Sequence, residues 1–161
     1  MAKARPIPGL SADEPYAAAG TKIVSVRAAE LREHAENVLD ISQVERLHDM
    51  RVATRRLRAA LEIFQPCFPR KPFKAALREV KELADALGER RDRDVTIAAL
   101  ADFTAAMAAP DRPGIESLIG SLRREQTEAN DALLAHVSPE RLDSLDGRLR
   151  DLVAAADGGG G

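Results

Sequence analysis

Four residues near the middle of the chain, His48, Arg51, Arg55 and Arg58, have the types and the spacing to bind an anion together. They recur at intervals of three, four and three residues. On an α-helix they therefore form one stripe, with neighbours about 5–6 Å apart. A guanidinium group holds phosphate or carboxylate oxygens in pairs, and an imidazole adds a donor that can become charged. Like charges at these spacings repel each other, so the stripe favours a ligand with closely spaced negative charges.

The helix that would carry this stripe is amphipathic. A second set of residues, most of them one position before a residue of the cationic stripe, repeats with the same period. It predicts a face that packs against a core. This set comprises Leu47, Met50, Thr54, Leu57, Leu61 and Phe64. Arg56 adds a further cation beside the stripe, and Glu62 ends it.

The next predicted helix repeats the arrangement, with Lys74, Arg78 and Lys81 beside an apolar stripe. That apolar stripe comprises Phe73, Leu77, Val80, Ala84 and Leu87. Two helices joined by a short proline-rich turn are expected to pack as an antiparallel hairpin. Their cations would then flank a single basic groove. Further along the chain, the sequence leaves open whether Arg90 and Arg93 face a ligand or solvent.

Composition restricts the class of protein. The 161 residues include 45% apolar residues, 3% aromatic residues and a single cysteine, Cys67. Ala, Leu, Arg and Glu dominate, and these are strong helix formers. Few aromatic residues disfavour both a sheet-rich fold and a stacking platform for single-stranded nucleic acid. No apolar run reaches the roughly 18 residues of a membrane-spanning helix. We therefore expect an all-α protein in the cytoplasm, with no membrane association.

The charges are segregated along the chain, although the net charge is only −2. Residues 44–93 contain 13 basic and 8 acidic residues, a net charge of +5. The rest of the chain contains 11 basic and 18 acidic residues, a net charge of −7. A basic middle section suits polyphosphate, nucleic acid or an acidic protein tail. The alternative without a ligand is a surface stripe paired with carboxylates of neighbouring helices.

Proline, glycine and capping signals divide the chain into about six helices, which we expect to form an antiparallel bundle. The predicted helices are Tyr16–Asp40, Ser42–Phe64, Pro72–Gly88, Asp92–Ala109, Gly114–His136 and, after Ser138 and Pro139, a segment that ends near Ala155. Ser42 and Glu45 have the spacing of a capping box. Residues 1–15 are predicted to be a flexible arm, residues 16–155 the helical domain, and residues 156–161 a glycine-rich disordered tail.

Residues 48–58 resemble the characteristic segment of the CHAD family, the conserved histidine α-helical domain. That segment reads H-D-M-R-V-x-x-R-R-L-R, and this chain matches it throughout. Residues 87–95 are similar to a second family segment, L-G-x-x-R-D-x-D-V. The resemblance extends weakly over most of residues 16–155.

The resemblance implies binding of inorganic polyphosphate without catalysis, sometimes at polyphosphate granules. By motif position, the implied ligand contacts are His48, Arg51, Arg55, Arg56 and Arg58, with a looser match at Lys74, Arg78, Lys81 and Arg91. Full members contain two pseudo-symmetric bundles around a basic channel, but this sequence contains one copy of the pattern. We therefore expect one half of a CHAD-type double bundle. A two-fold homodimer that recreates the whole is a hypothesis.

No pattern in the sequence indicates catalysis, a metal or a cofactor. The three histidines lack H-E-x-x-H spacing, and there is no phosphate loop of the G-x-x-x-x-G-K-(S/T) type. Family members are often joined to a triphosphatase domain marked by E-x-E-x-K, which is absent here. We therefore expect a non-enzymatic polyphosphate-binding module. A helical nucleic-acid-binding protein and a protein-interaction scaffold are the alternatives.

Overall fold

The structure, a computed structural model, describes residues 3–157, and every regular element in this range is helical. The five α-helices are α1 (Tyr16–His34), α2 (Val44–Ile63), α3 (Arg70–Ala105), α4 (Arg112–Val137) and α5 (Pro139–Asp157). Short 3₁₀ turns at Gln65–Cys67 and Ala109–Asp111 join α2 to α3 and α3 to α4. The all-α helical bundle is confirmed, and the predicted count of about six helices is one too high for residues 3–157.

The predicted count is one too high because two predicted helices, Pro72–Gly88 and Asp92–Ala109, form the single helix α3. A glycine inside a helix costs only about 1 kcal/mol relative to alanine, so Gly88 alone does not end it. The flanking residues Leu87 and Arg90 are both buried, and Arg90 forms an ion pair with Asp94 one turn further on. These contacts keep the helix continuous through the glycine.

The connection between α1 and α2 also differs from the prediction. Helix α1 ends at His34 instead of Asp40, and Asn37 adopts a positive φ of 56°, which asparagine tolerates better than most residues. The capping box predicted from Ser42 and Glu45 does not form. Instead, the backbone N–H and the hydroxyl of Ser42 donate hydrogen bonds to the Asp40 carboxylate at 2.9 and 2.7 Å. The connection between α1 and α2 is therefore a turn that the Asp40 carboxylate holds, not a continuation of either helix.

The core lies between the helices, with α1 packed against α2 and α5, and α3 packed against α2 and α4. All six residues of the apolar stripe predicted for α2 are buried. In α3, Ala76 and Leu83 are buried, whereas Leu77 and Ala84, which the pattern favoured, are half-buried. The main core ends at Leu87 in α3 and resumes at Leu133 in α4, so the distal halves of these two helices lie outside it.

Residues 3–15, which precede α1, contain no helix, but they contact α1 at several points. The backbone N–H and the guanidinium group of Arg5 donate to Glu30 and Glu33, and Lys22 bonds to the Gly9 carbonyl and the Glu14 carboxylate, both at 2.6 Å. The predicted flexibility of this arm stays a prediction. The predicted disordered tail, residues 156–161, begins too early, because residues 156 and 157 end α5; residues 158–161 lie outside the described residues. No helix within residues 3–157 is long and apolar enough to cross a membrane.

Candidate anion-binding groove

Helices α2 and α3 enclose an open groove with a volume of about 1120 Å³. The α2 wall of this groove contains every α2 residue proposed to bind ligand: His48, Arg51, Arg55, Arg56 and Arg58. Glu62 lies at the end of the same wall. The helical spacing read from the sequence therefore does bring these side chains to one surface. The core residues on the adjacent stripe hold α2 in this orientation.

The α3 wall is acidic, which the sequence did not lead us to expect. It consists of Ala84, Asp85, Gly88, Glu89 and Asp92. The stripe that begins with Lys74, Arg78 and Lys81 continues along α3 as Asp85, Gly88 and Asp92, at the same helical spacing. Because α3 returns antiparallel to α2, this later, acidic part of the stripe lies opposite the α2 cations.

The α3 cations instead lie beyond one end of the groove. The Lys81 ammonium is 3.8 Å from the Glu62 carboxylate, which places it at the C-terminal end of α2. Arg78 and Lys74 lie about one and two turns further away on the same face. Arg78 is 3.8 Å from Glu82, with 75% of its side chain exposed, and Lys74 is exposed.

Arg91 lies near the opposite end of the groove. Its guanidinium group is 4.0 Å from the carboxylate of Glu45, in the first turn of α2. Its side chain is largely buried and does not line the groove. None of the four predicted contacts outside α2 is therefore part of the groove lining.

The α2 cations differ in how far they are already neutralised. Within residues 3–157, Arg51 and Arg55 make no ion pair within 4.0 Å. Arg58 is 3.1 Å from Glu62, which it shares with Lys81. The Nδ1 atom of His48 is buried and has no hydrogen-bond partner in the described part of the chain. The middle of the α2 wall thus presents the least neutralised positive charge.

Arg56 lies close to the buried Glu30 of α1. Burial by itself raises the pKa of Glu30, but hydrogen bonds from Arg5 and Arg27 and the charges of Arg27 and Arg56 outweigh it and leave this pKa below its ordinary value. Glu30 is therefore a carboxylate at neutral pH, only 2% exposed. Part of the charge of Arg56 is consequently balanced within the protein.

The groove is balanced in formal charge. Its lining contains four arginines, all on α2, and four carboxylates, that of Glu62 on α2 and those of Asp85, Glu89 and Asp92 on α3, with His48 in addition. Glu89 is paired with Arg93 at 2.6 Å. Asp85 and Asp92 are exposed and make no ion pair with any residue that the structure describes. The groove is thus dipolar, with a basic wall opposite an acidic wall.

Neither Arg90 nor Arg93 faces the groove. Arg93 pairs with Glu89 and with Glu125 of α4, and Arg90 is fully buried. Arg90 donates to Asp94 at 2.8 Å and to Asn130, and Asp94 also accepts a hydrogen bond from Gln126 at 2.6 Å. The Asn130 amide in turn donates to the Leu39 carbonyl at 3.0 Å. This network joins α3, α4 and the α1–α2 connection.

The sequence suggested that Asp94 orients a neighbouring guanidinium group, but it did not predict the burial of this network or its partners on α4, although one signal was present. Arg90 and Asp94 continue the buried positions Leu83 and Leu87 at intervals of three and four residues, so they fall on the core face of α3. Charged residues on a core face are expected to pair with each other.

In the described part of the chain, no group of three His, Cys, Asp or Glu side chains is placed to hold a metal ion.

The family model of the CHAD domain matches residues 22–160, which is nearly the whole chain. No curated protein and no solved structure matches it.

Proposed function

Because this chain belongs to the CHAD domain family, which is associated with polyphosphate, we propose that it binds inorganic polyphosphate through the α2 wall of the groove. The observation that carries this proposal is the pair Arg51 and Arg55. Both line the groove, one turn apart, and neither forms an ion pair with a described residue. Two guanidinium groups held in this way are ready to bind successive phosphate groups.

The neighbouring groups extend this contact along the helix. His48 lies one turn before Arg51, and Arg58 one turn after Arg55, so a linear anion parallel to α2 meets four donors in succession. Arg58 contributes after it exchanges Glu62 for phosphate, which costs little because exposed ion pairs are worth only about 0.2–1 kcal/mol.

The cations of α3 have a secondary role in this proposal. A long chain that passes Glu62 reaches Lys81, then Arg78 and Lys74, so these residues favour longer polyphosphate. Arg56 and Arg91 contribute less, because Glu30 and Glu45 already balance part of their charge. The proposal is for binding without catalysis. A two-fold homodimer and association with polyphosphate granules remain parts of the same proposal.

The test is charge reversal in the middle of the α2 wall. The double variant Arg51→Glu/Arg55→Glu should bind long-chain polyphosphate at least about 100-fold more weakly than the parent, because each charge-assisted contact contributes about 1.5–3 kcal/mol. Titration calorimetry measures the affinity, and circular dichroism checks that helicity is unchanged.

The matched control is Arg124→Glu. Arg124 is exposed on α4, outside the groove, and its guanidinium group donates to Ser121 at 2.9 Å. Its reversal should change affinity only slightly. Parent binding should also weaken steeply with added salt, because counterions are released from the polyanion. Equal affinity of the double variant and the control would refute the assignment of the groove.

A further inference from the structure

Two carboxylates of the acidic wall, those of Asp85 and Asp92, have no evident structural role. Asp85 and Asp92 lie in the middle of α3, away from both helix ends, where a carboxylate would not cap the helix. Both are exposed and make no ion pair within the described residues, so they do not stabilise the packing of α3. What distinguishes them is their position opposite the unpaired Arg51 and Arg55.

A carboxylate in this position repels any anion that fills the groove from wall to wall. The repulsion between unit charges is strongest at short range, since the screening length is about 8 Å at physiological ionic strength. A narrow chain of bare phosphates can keep all its charges against α2 and away from α3. A nucleic acid strand spaces its phosphates with sugars and carries bases to the side, so it occupies more of the width between the two walls.

The groove also lacks the groups that would compensate a nucleic acid for this repulsion. Proteins that bind single strands without sequence preference stack the bases on aromatic side chains, and this stacking supplies much of their affinity. Among residues 3–157, no Phe, Tyr or Trp lines the groove. Specificity commonly arises from a repulsive element directed against the wrong ligand.

We propose that Asp85 and Asp92 determine the ligand specificity of the groove, because they exclude nucleic acids and admit the narrower polyphosphate chain. This inference rests on the proposed function. It differs from that function in assigning selectivity to the wall that does not contact the ligand.

The test measures two ligands on the same protein. Binding of sodium polyphosphate and of poly(U) RNA with a matched number of phosphates is measured by fluorescence anisotropy at one salt concentration. The parent is compared with Asp85→Asn/Asp92→Asn, which removes the repulsion and nearly preserves side-chain shape. The control is Asp102→Asn, an exposed carboxylate on α3 that does not line the groove.

We expect the double variant to bind RNA about tenfold more tightly than the parent, since two exposed charge interactions are worth up to about 1 kcal/mol each. The polyphosphate affinity of the double variant should rise by less than about threefold. The Asp102→Asn variant should change the affinity for either ligand by no more than the loss of one negative charge explains. The ratio of the two affinities is therefore the decisive quantity.

Three results would overturn the inference: an equal gain for both ligands, no gain for RNA, or the same change in the Asp102→Asn control. Each of these three results is read from the affinities of the variants. Failure of the proposed function is distinguishable, because it appears in the parent as an absence of polyphosphate binding.

Discussion

Arginines from the basic middle section of the chain, residues 44–93, occupy very different environments in the folded protein. Arg55 is exposed on the groove wall, whereas Arg90 is 0% exposed and paired with Asp94. A buried ion pair gains its stability only when both partners are present and hydrogen-bonded. Arg90 is therefore committed to the core. Only an exposed cation such as Arg55 can exchange water for a ligand at low cost.

Glu30 shows how the groups around a buried carboxylate keep it charged. It accepts hydrogen bonds from the Arg5 backbone and from Arg27, the latter at 2.7 Å, and it lies near Arg56. We expect Glu30→Gln to lower the free energy of unfolding by about 2 kcal/mol at pH 7, because hydrogen bonds to a charged group are lost. Urea unfolding at several pH values measures the effect.

The pH dependence follows from the direction of the Glu30 pKa. Because this pKa is lowered in the folded state, the carboxylate stabilises the fold fully above its ordinary value of 4.5 and loses this contribution as the pH falls through the folded-state pKa. The difference between parent and variant should therefore shrink below about pH 4. The exposed Glu33→Gln is the control and should cost less than about 1 kcal/mol. A difference independent of pH would contradict the assigned role.

At the scale of elements, the continuity of α3 places the acidic and basic parts of one helical stripe on opposite sides of Glu62. Gly88 lies in the middle of this helix and in the α3 wall of the groove, and within 4 Å an added Cβ would meet no described atom beyond its chain neighbours and the adjacent helix backbone. We expect Gly88→Ala to raise the free energy of unfolding by about 0.5–1 kcal/mol, because alanine loses less backbone entropy in a helix. Chemical denaturation measures the gain.

Two other glycines provide the comparison. Gly120 in α4 is equally open, so Gly120→Ala should give a similar gain. Gly20 in α1 is different, because its Cβ would lie 2.7 Å from a ring carbon of Phe64, and Gly20→Ala should therefore destabilise the protein. If Gly88→Ala destabilised the protein while Gly120→Ala did not, α3 would not be a continuous helix at this point.

At the scale of the whole molecule, stability is not uniform. The main core contains no residue between Leu87 and Leu133, and Phe103 near the end of α3 is 58% exposed. We expect backbone amides in residues 95–125 to exchange with solvent faster than those of α2 and of α3 before Leu87, because few apolar contacts oppose local opening. Hydrogen exchange followed by mass spectrometry resolves the two regions, and uniform protection would contradict this expectation.

The sequence determined much of this protein by itself. The period of the apolar residues predicted the helices and the buried face of α2, and the same period brought His48, Arg51, Arg55 and Arg58 to one wall. These features depend on spacing within a single helix, which the geometry of the α-helix sets locally. Their ligand, polyphosphate, remains a proposal.

Only the tertiary structure decided which side chains lie opposite that wall. The register between α2 and α3 decides whether Lys81 or Asp85 faces Arg55. The contacts of Leu87 and Arg90 with the rest of the core decide whether α3 ends at Gly88. Charge alone likewise did not show that Arg90 is buried with Asp94. Such features arise from contacts between segments distant in the chain, where packing outweighs local propensity.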